Sequence, residues 1–271
     1  MLNRATKAAI YVLLQVTLLI TPMSVAAETS ALEARMMEPI QIEKSGSFQL
    51  SHAASTSMNV SVDNAPDASV EACMSLALSV LGSLPAEHAE ALTDLTLVFD
   101  DNAKRGQAGG HLMRIRCVDI SDEEFAAVMV HEMGHIVDTG LLQGSGSDEY
   151  VFSDGSKPVL KDDLSVLFYE TSWISNYSFT SETDGYSFVS RYATSDPFED
   201  FAETYVAYVL HGETFRSYAA SSDEINEKYE FMKNYVFEGI EYSGIDQAQA
   251  YDERVYDVTK LPFDLDFFLN N

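Results

Sequence analysis

Basic side chains are scarce in this sequence: 16 lysines and arginines stand against 43 aspartates and glutamates in 271 residues, a formal net charge of −27. So acidic a surface argues against nucleic acid and against a stable anionic-membrane partner, and it favours solubility. Long hydrophobic runs are missing too, apart from Ala8–Ile20, which is too short for a comfortable membrane span. Arg4 and Lys7 precede that run and Val25-Ala26-Ala27 follows it as a small-x-small cleavage pattern, so residues 1–27 are expected to be an export signal. An uncleaved anchor is the alternative. No cysteine follows the run to carry a lipid. The only two cysteines, Cys73 and Cys117, lie in the exported part. In an oxidising compartment they can pair and close a long loop; two unpaired buried thiols is the other reading. Internal repeats are absent.

What is present is a hydrophobic content of 46%, ample for a core, and one motif around which the chain is organised, His131-Glu132-Met133-Gly134-His135. Residues four apart on an α-helix lie nearly above one another, so the two imidazoles address one point in space, as two ligands of a catalytic zinc must. Glu132 sits one step round the helix, placed to hold a metal-bound water and take its proton. The helix is expected from its surroundings. Ser121 and Glu124 form a capping-box pattern, Asp122, Glu123 and Glu124 charge the first turn, and Gly140 stands where the helix would stop. Phe125, Val128, Met129 and Ile136 make the apolar stripe. The bland alternative, a core helix with packed histidines, leaves a glutamate buried without a partner.

Three stretches are expected along the chain: 1–27 as signal, 28–69 as a linker or pro-like segment, and 70–271 as one domain. His52 is a conceivable metal-reaching group in the second, more simply a surface histidine. Helices are expected over 71–84 and 85–92, then strands over 93–100 and 111–119 with the loop NAKRGQAGG between them. In the second strand, Leu112, Ile115 and Val118 do not settle which face is buried. His111 is a candidate cleft residue or a lone exposed histidine. Beyond Gly140 lie a Gly/Ser/Asp-rich loop, a helix over about 161–174 and the stretch YSFTSETDGYSF, a place for specificity or a lid. A helix over 223–240 and an acidic, aromatic tail that packs on the core complete the chain.

A catalytic zinc needs a third protein ligand and an open position. Asp196 reads as an N-cap, Pro197 as the first helical residue, and a helix follows to His211 with Gly212 ending it. Glu199 and Glu203 share one face of that helix, so one can bind the metal and the other orient a ligand histidine. Asp138, one turn past His135, can join the site from outside the ligand set. The third histidine of the metzincin motif is missing, since Leu141 occupies its place.

The segment SRYATSDPFEDFAE carries a resemblance. H-E-x-x-H followed by Tyr, six residues, Glu, three residues and Glu resembles the gluzincin peptidases related to the anthrax lethal factor protease domain and the bacterial Pro-Pro endopeptidases. The likeness covers roughly residues 110–212, with a longer gap between His135 and Glu199 than those families usually show. It implies Glu199 as third zinc ligand, Tyr192 as a hydroxyl that stabilises the oxyanion, and Glu203 as a carboxylate behind the ligands. Glu203 as direct ligand with Glu199 at the rim is the competing assignment.

The expectation is therefore an α+β, zincin-like fold: a small sheet, an active-site helix carrying the motif, and a helical lower part carrying the third ligand. The expected cofactor is Zn2+, and the expected partner is a peptide or protein substrate paired to a sheet edge. The protein is expected to be secreted or held at the cell surface. The rivals are a secreted binding protein with a structural or vestigial zinc site, which has no need of Glu132, and a zinc hydrolase of non-peptide amides.

Overall fold

The computed structural model describes residues 48–51, 57–64, 69–247 and 253–270, all within one compact unit. The expected export signal and His52 lie outside the described residues. Alternation of Met58, Val60 and Val62 makes a strand of part of the segment 28–69, so ordered structure begins ahead of Val70. Strands β1 (Phe48–Ser51), β2 (Ser57–Asp63), β3 (Asp94–Val98), β4 (Gly106–Gly109) and β5 (Leu112–Arg116) form one sheet in the order β1-β2-β3-β5-β4. The inner three are parallel, and β1 and β4 are antiparallel edges.

Helices α1 (Val70–Gly82) and α2 (Ala86–Ala91) make the crossover from β2 to β3. Register aligns Val60, Leu95 and Met113 in one cross-strand row and Val62, Leu97 and Ile115 in the next, which gives the sheet its apolar face. Its other face carries polar cross-strand pairs, Ser61 with Thr96 at 2.9 Å and Arg114 with Asp63 at 2.7 Å. In β5 it is Met113 and Ile115 that point inward, while Leu112 faces outward, 58% exposed. Cys73 in α1 and Cys117 just after β5 are joined as a disulfide.

Helix α3 (Asp122–Ile136) carries the motif and runs on into a π-helical turn, Val137–Leu141. Ser121 caps it by accepting the Glu124 N–H at 3.2 Å. The reciprocal half of the expected capping box is not made, because the Glu124 carboxylate is taken by Arg105 and Lys260. Two hairpins follow, β6 (Glu149–Asp154) with β7 (Lys157–Leu160), and β8 (Trp173–Ser175) with β9 (Ser178–Phe179). Between them α4 (Val166–Ser172) is shorter than the helix expected over 161–174. Trp173 turns inward instead, and its Nε1–H donates to Asp200 at 3.0 Å.

The lower part comprises α5 (Pro197–Leu210), α6 (Gly212–Ala219) and α7 (Asp223–Phe231), the last shorter than expected because a π-helical turn begins at Met232. Gly212 does not close the chain's helical course here but starts α6. The chain folds back with Val258 buried and forms α8 (Leu265–Asn270), whose Phe268 is buried, in line with the expected packing of the acidic, aromatic tail on the core. Among the described residues no helix is long and apolar enough to cross a membrane. The α+β class holds.

Candidate metal centre

Helices α3 and α5 cross at Gly134, where an added Cβ would stand 2.8 Å from the Cα of Ala202. The absence of a side chain lets the two helices approach closely enough for Glu199 and Glu203 of α5 to reach the histidines of α3. Asp196 fixes the start of α5 by accepting the N–H groups of Phe198 and Glu199 at 3.0 and 2.9 Å. Oε2 of Glu199 then lies 3.2 Å from Nε2 of His131 and 3.6 Å from Nε2 of His135. On the far side of the His131 ring, Nδ1 lies 3.1 Å from Oε1 of Glu203, an ion-pair contact.

The Glu199 oxygen is buried and accepts no hydrogen bond, so a polar atom aimed at both imidazoles lacks a donor. Metal–ligand bonds of about 2.0–2.1 Å at tetrahedral angles set donor atoms about 3.3 Å apart. The observed 3.2 and 3.6 Å bracket that spacing. His131, His135 and Glu199 thus fit a divalent cation by donor type, spacing and the orphaned carboxylate oxygen, and they form the one group of that kind among the described residues.

Charge supports the same reading. Burial alone would lower the pKa of His131, but Glu199 and Glu203 on its two nitrogens outweigh it and lift the group to about 10. Burial would likewise lower His135, and Glu199 raises it on balance. Glu199 is held well below the usual carboxylate range by the two imidazoles, against the cost of burial. These carboxylates are arranged to hold positive charge at one point.

Glu132 is 5% exposed and projects towards the backbone of β4, where a Cβ at Gly106 would stand 2.3 Å from its Oε1. Burial raises its pKa, opposed by the charges of His135 and His131. The Tyr192 hydroxyl donates to Oε1 of Glu199 at 3.1 Å, and its ring lies 6.2 Å from that of His131. Burial and the charge of Glu199 push the phenol's pKa up, so it stays a proton donor. These groups line a cleft of about 490 Å³ walled on one side by β4, residues 106–109.

The residues predicted for the site, His131, Glu132, His135, Tyr192, Glu199 and Glu203, are brought together. Asp138 is not among them: both its carboxylate oxygens accept from the Tyr169 hydroxyl at 2.6 Å, and burial raises its pKa to about 7. His111 is exposed, bonded through Nδ1 to the Ala91 carbonyl and absent from the cleft wall. Two parts of the site escaped sequence reasoning. The first is β4, hidden in a glycine-rich stretch. The second is Asp257 and Thr259 of the C-terminal tail, which line the cleft although nothing local marks them.

Residues 125–270 match the sequence model of a family described as "putative zinc-binding metallo-peptidase". No curated protein and no solved structure matches the chain.

Proposed function

The chain belongs to this family of zinc-binding metallo-peptidases, matched over more than half its length, and from that premise we propose that it is an exported zinc-dependent endopeptidase. The observation that carries the reading is the convergence of two imidazole nitrogens and an orphaned carboxylate oxygen beside a buried glutamate, under a sheet edge. His131, His135 and Glu199 would hold the ion. A zinc ion bound there supplies Lewis acidity towards a peptide carbonyl and lowers the pKa of water towards about 7.

Glu132 accepts a proton from the attacking water and passes it to the leaving amine, a role favoured by its burial and raised pKa. The Tyr192 hydroxyl turns from Glu199 to the oxygen on which negative charge develops. Glu203 holds the His131 ring from behind, which keeps Nε2 aimed at the ligand point. The outer edge of β4 has no strand partner among the described residues, which suits an extended peptide paired through main-chain hydrogen bonds. The spacing of Tyr192, Glu199 and Glu203 and their meeting at the site support a zincin-like, lethal-factor-like gluzincin. The disulfide and the sequence of residues 1–27 support export, to the medium or the cell surface.

The test is turnover of a mixed peptide library by zinc-loaded mature wild type and Glu132→Ala. Cleavage by wild type alone is expected. Equal cleavage by both, or none by a zinc-loaded wild type, overturns the reading.

A further inference from the structure

The segment 255–261 packs against α3 and α5 and bonds Arg105, the residue just before the edge strand. Its backbone runs beside Arg191 and Tyr192, whose N–H groups donate to the carbonyls of Val255 and Tyr256 at 2.8 and 2.7 Å. Three consecutive residues then make contacts that alternate between two parts of the site. The Asp257 carboxylate accepts from Nη2 of Arg105 at 2.6 Å, and the Thr259 hydroxyl accepts from Nη1 at 3.1 Å. Between them, the Val258 N–H donates to Oε2 of Glu203 at 2.8 Å. Arg105 immediately precedes Gly106, the residue that abuts the Glu132 carboxylate, and Nη1 also donates to Glu124 on the first turn of α3.

We propose that Asp257-Val258-Thr259 is a positioning clamp: its side chains fix, through Arg105, the strand that covers Glu132, and its central N–H fixes Glu203 behind His131. The proposal rests on the zinc-peptidase reading. It follows from the polar contacts: the three residues are buried, Asp257 at 8%, Val258 at 1% and Thr259 at 5% exposure, and their bonds named above run either to Arg105, which lines the cleft, or to Glu203 behind His131. None of the three touches the ligand point itself, so each acts through Arg105 or Glu203. Loss of the N–H removes one of the two donors to Oε2 of Glu203, the other being the Ser190 hydroxyl at 2.6 Å, and loosens the His131 ring. Loss of the Arg105 contacts lets β4 shift over Glu132 and leaves the metal ligands in place.

The two arms can be separated in the full mature chain. Val258→Pro deletes the N–H at the first position of a helical turn, which suits proline, after an Asp257 whose φ of −145° and ψ of 121° suit the residue before one. Val258→Ala keeps the N–H and loses only the side chain. Zinc affinity, measured by chelator competition, is expected to fall about tenfold in Val258→Pro and to stay within about twofold of wild type in Val258→Ala. Arg105→Ala is expected to retain zinc and lose about tenfold in kcat with KM little changed, and Arg105→Lys, which can still reach Asp257, to recover part of it. If wild type binds zinc and the two Val258 variants bind it alike, the N–H arm is wrong. If Arg105→Ala turns over like wild type, or Arg105→Lys is no better than Arg105→Ala, the strand arm is wrong. If wild type binds no zinc, the underlying reading itself fails and the clamp falls with it.

Discussion

A methyl group at Gly106 would stand 2.3 Å from the carboxylate of Glu132, and one at Gly134 would stand 2.8 Å from the backbone of Ala202. The first contact is with the end of a side chain, which can move, so Gly106→Ala is expected to fold and to keep zinc while displacing the base. Its turnover should drop at least tenfold, and metal analysis alongside peptide cleavage checks it; full activity would remove β4 from the account. Tyr192→Phe should also retain zinc and lose on the order of 10²–10³ in kcat, the scale seen when one oxyanion donor is removed. A Tyr192→Phe protein that loses its zinc contradicts the role given to the hydroxyl. The site was largely legible at this scale, because helical periodicity puts His131 beside His135 and Glu199 beside Glu203. Asp138 was misplaced, since periodicity gives direction along one helix and says nothing of Tyr169, which arrives from α4 to bond it.

The crossing of α3 and α5 is the contact on which the ligand set depends. At Gly134 the obstacle is backbone, so Gly134→Ala must push the helices apart or strain one of them, at a cost of about 1–3 kcal/mol. Thermal unfolding and zinc competition should both report it, as a lower Tm together with weaker binding; a lower Tm with unaltered zinc affinity would mean that the crossing serves only the core. Most helices were legible from caps and apolar stripes, α3 and α5 best of all. Strand β2 was legible in principle, from the alternation of Met58, Val60 and Val62, but its Ser- and Asn-rich surroundings read as linker. Strand β4 was not legible, because Gly106, Gly109 and Gly110 carry turn character and only pairing with β5 makes the segment extended. Gly212 misled for a related reason: it follows His211, whose φ of −129° breaks the helix, and then begins another.

Across the whole molecule, two buried histidines outside the ligand set make stability depend on pH. Burial lowers His88 from 6.5 to about 4, although its ring is bonded to the Tyr205 hydroxyl at 2.8 Å and the Val236 carbonyl at 2.9 Å. Burial also lowers His211 to about 4, against Asp246 and the Val258 carbonyl. Both are neutral when folded and take up a proton when unfolded below pH 6.5, so their stabilisation is complete above 6.5 and is lost as pH falls towards 4. The loss is on the order of 3 kcal/mol for each. His88→Gln should lower Tm at pH 7 yet flatten its fall between pH 7 and 4.5; a slope equal to that of wild type would contradict this. The Cys73–Cys117 bridge closes a separation of 44 residues, and reduction should cost up to about 4 kcal/mol by loop entropy. The pairing was open in the sequence because spacing cannot show that α1 and the end of β5 are neighbours. The most direct test of the central claim is zinc stoichiometry in the mature chain, for wild type, Glu132→Ala and Glu199→Ala. One zinc in the first two and none retained by Glu199→Ala is the expected result. A wild type that takes up no zinc, or a Glu199→Ala that holds it as tightly as wild type, would contradict the account.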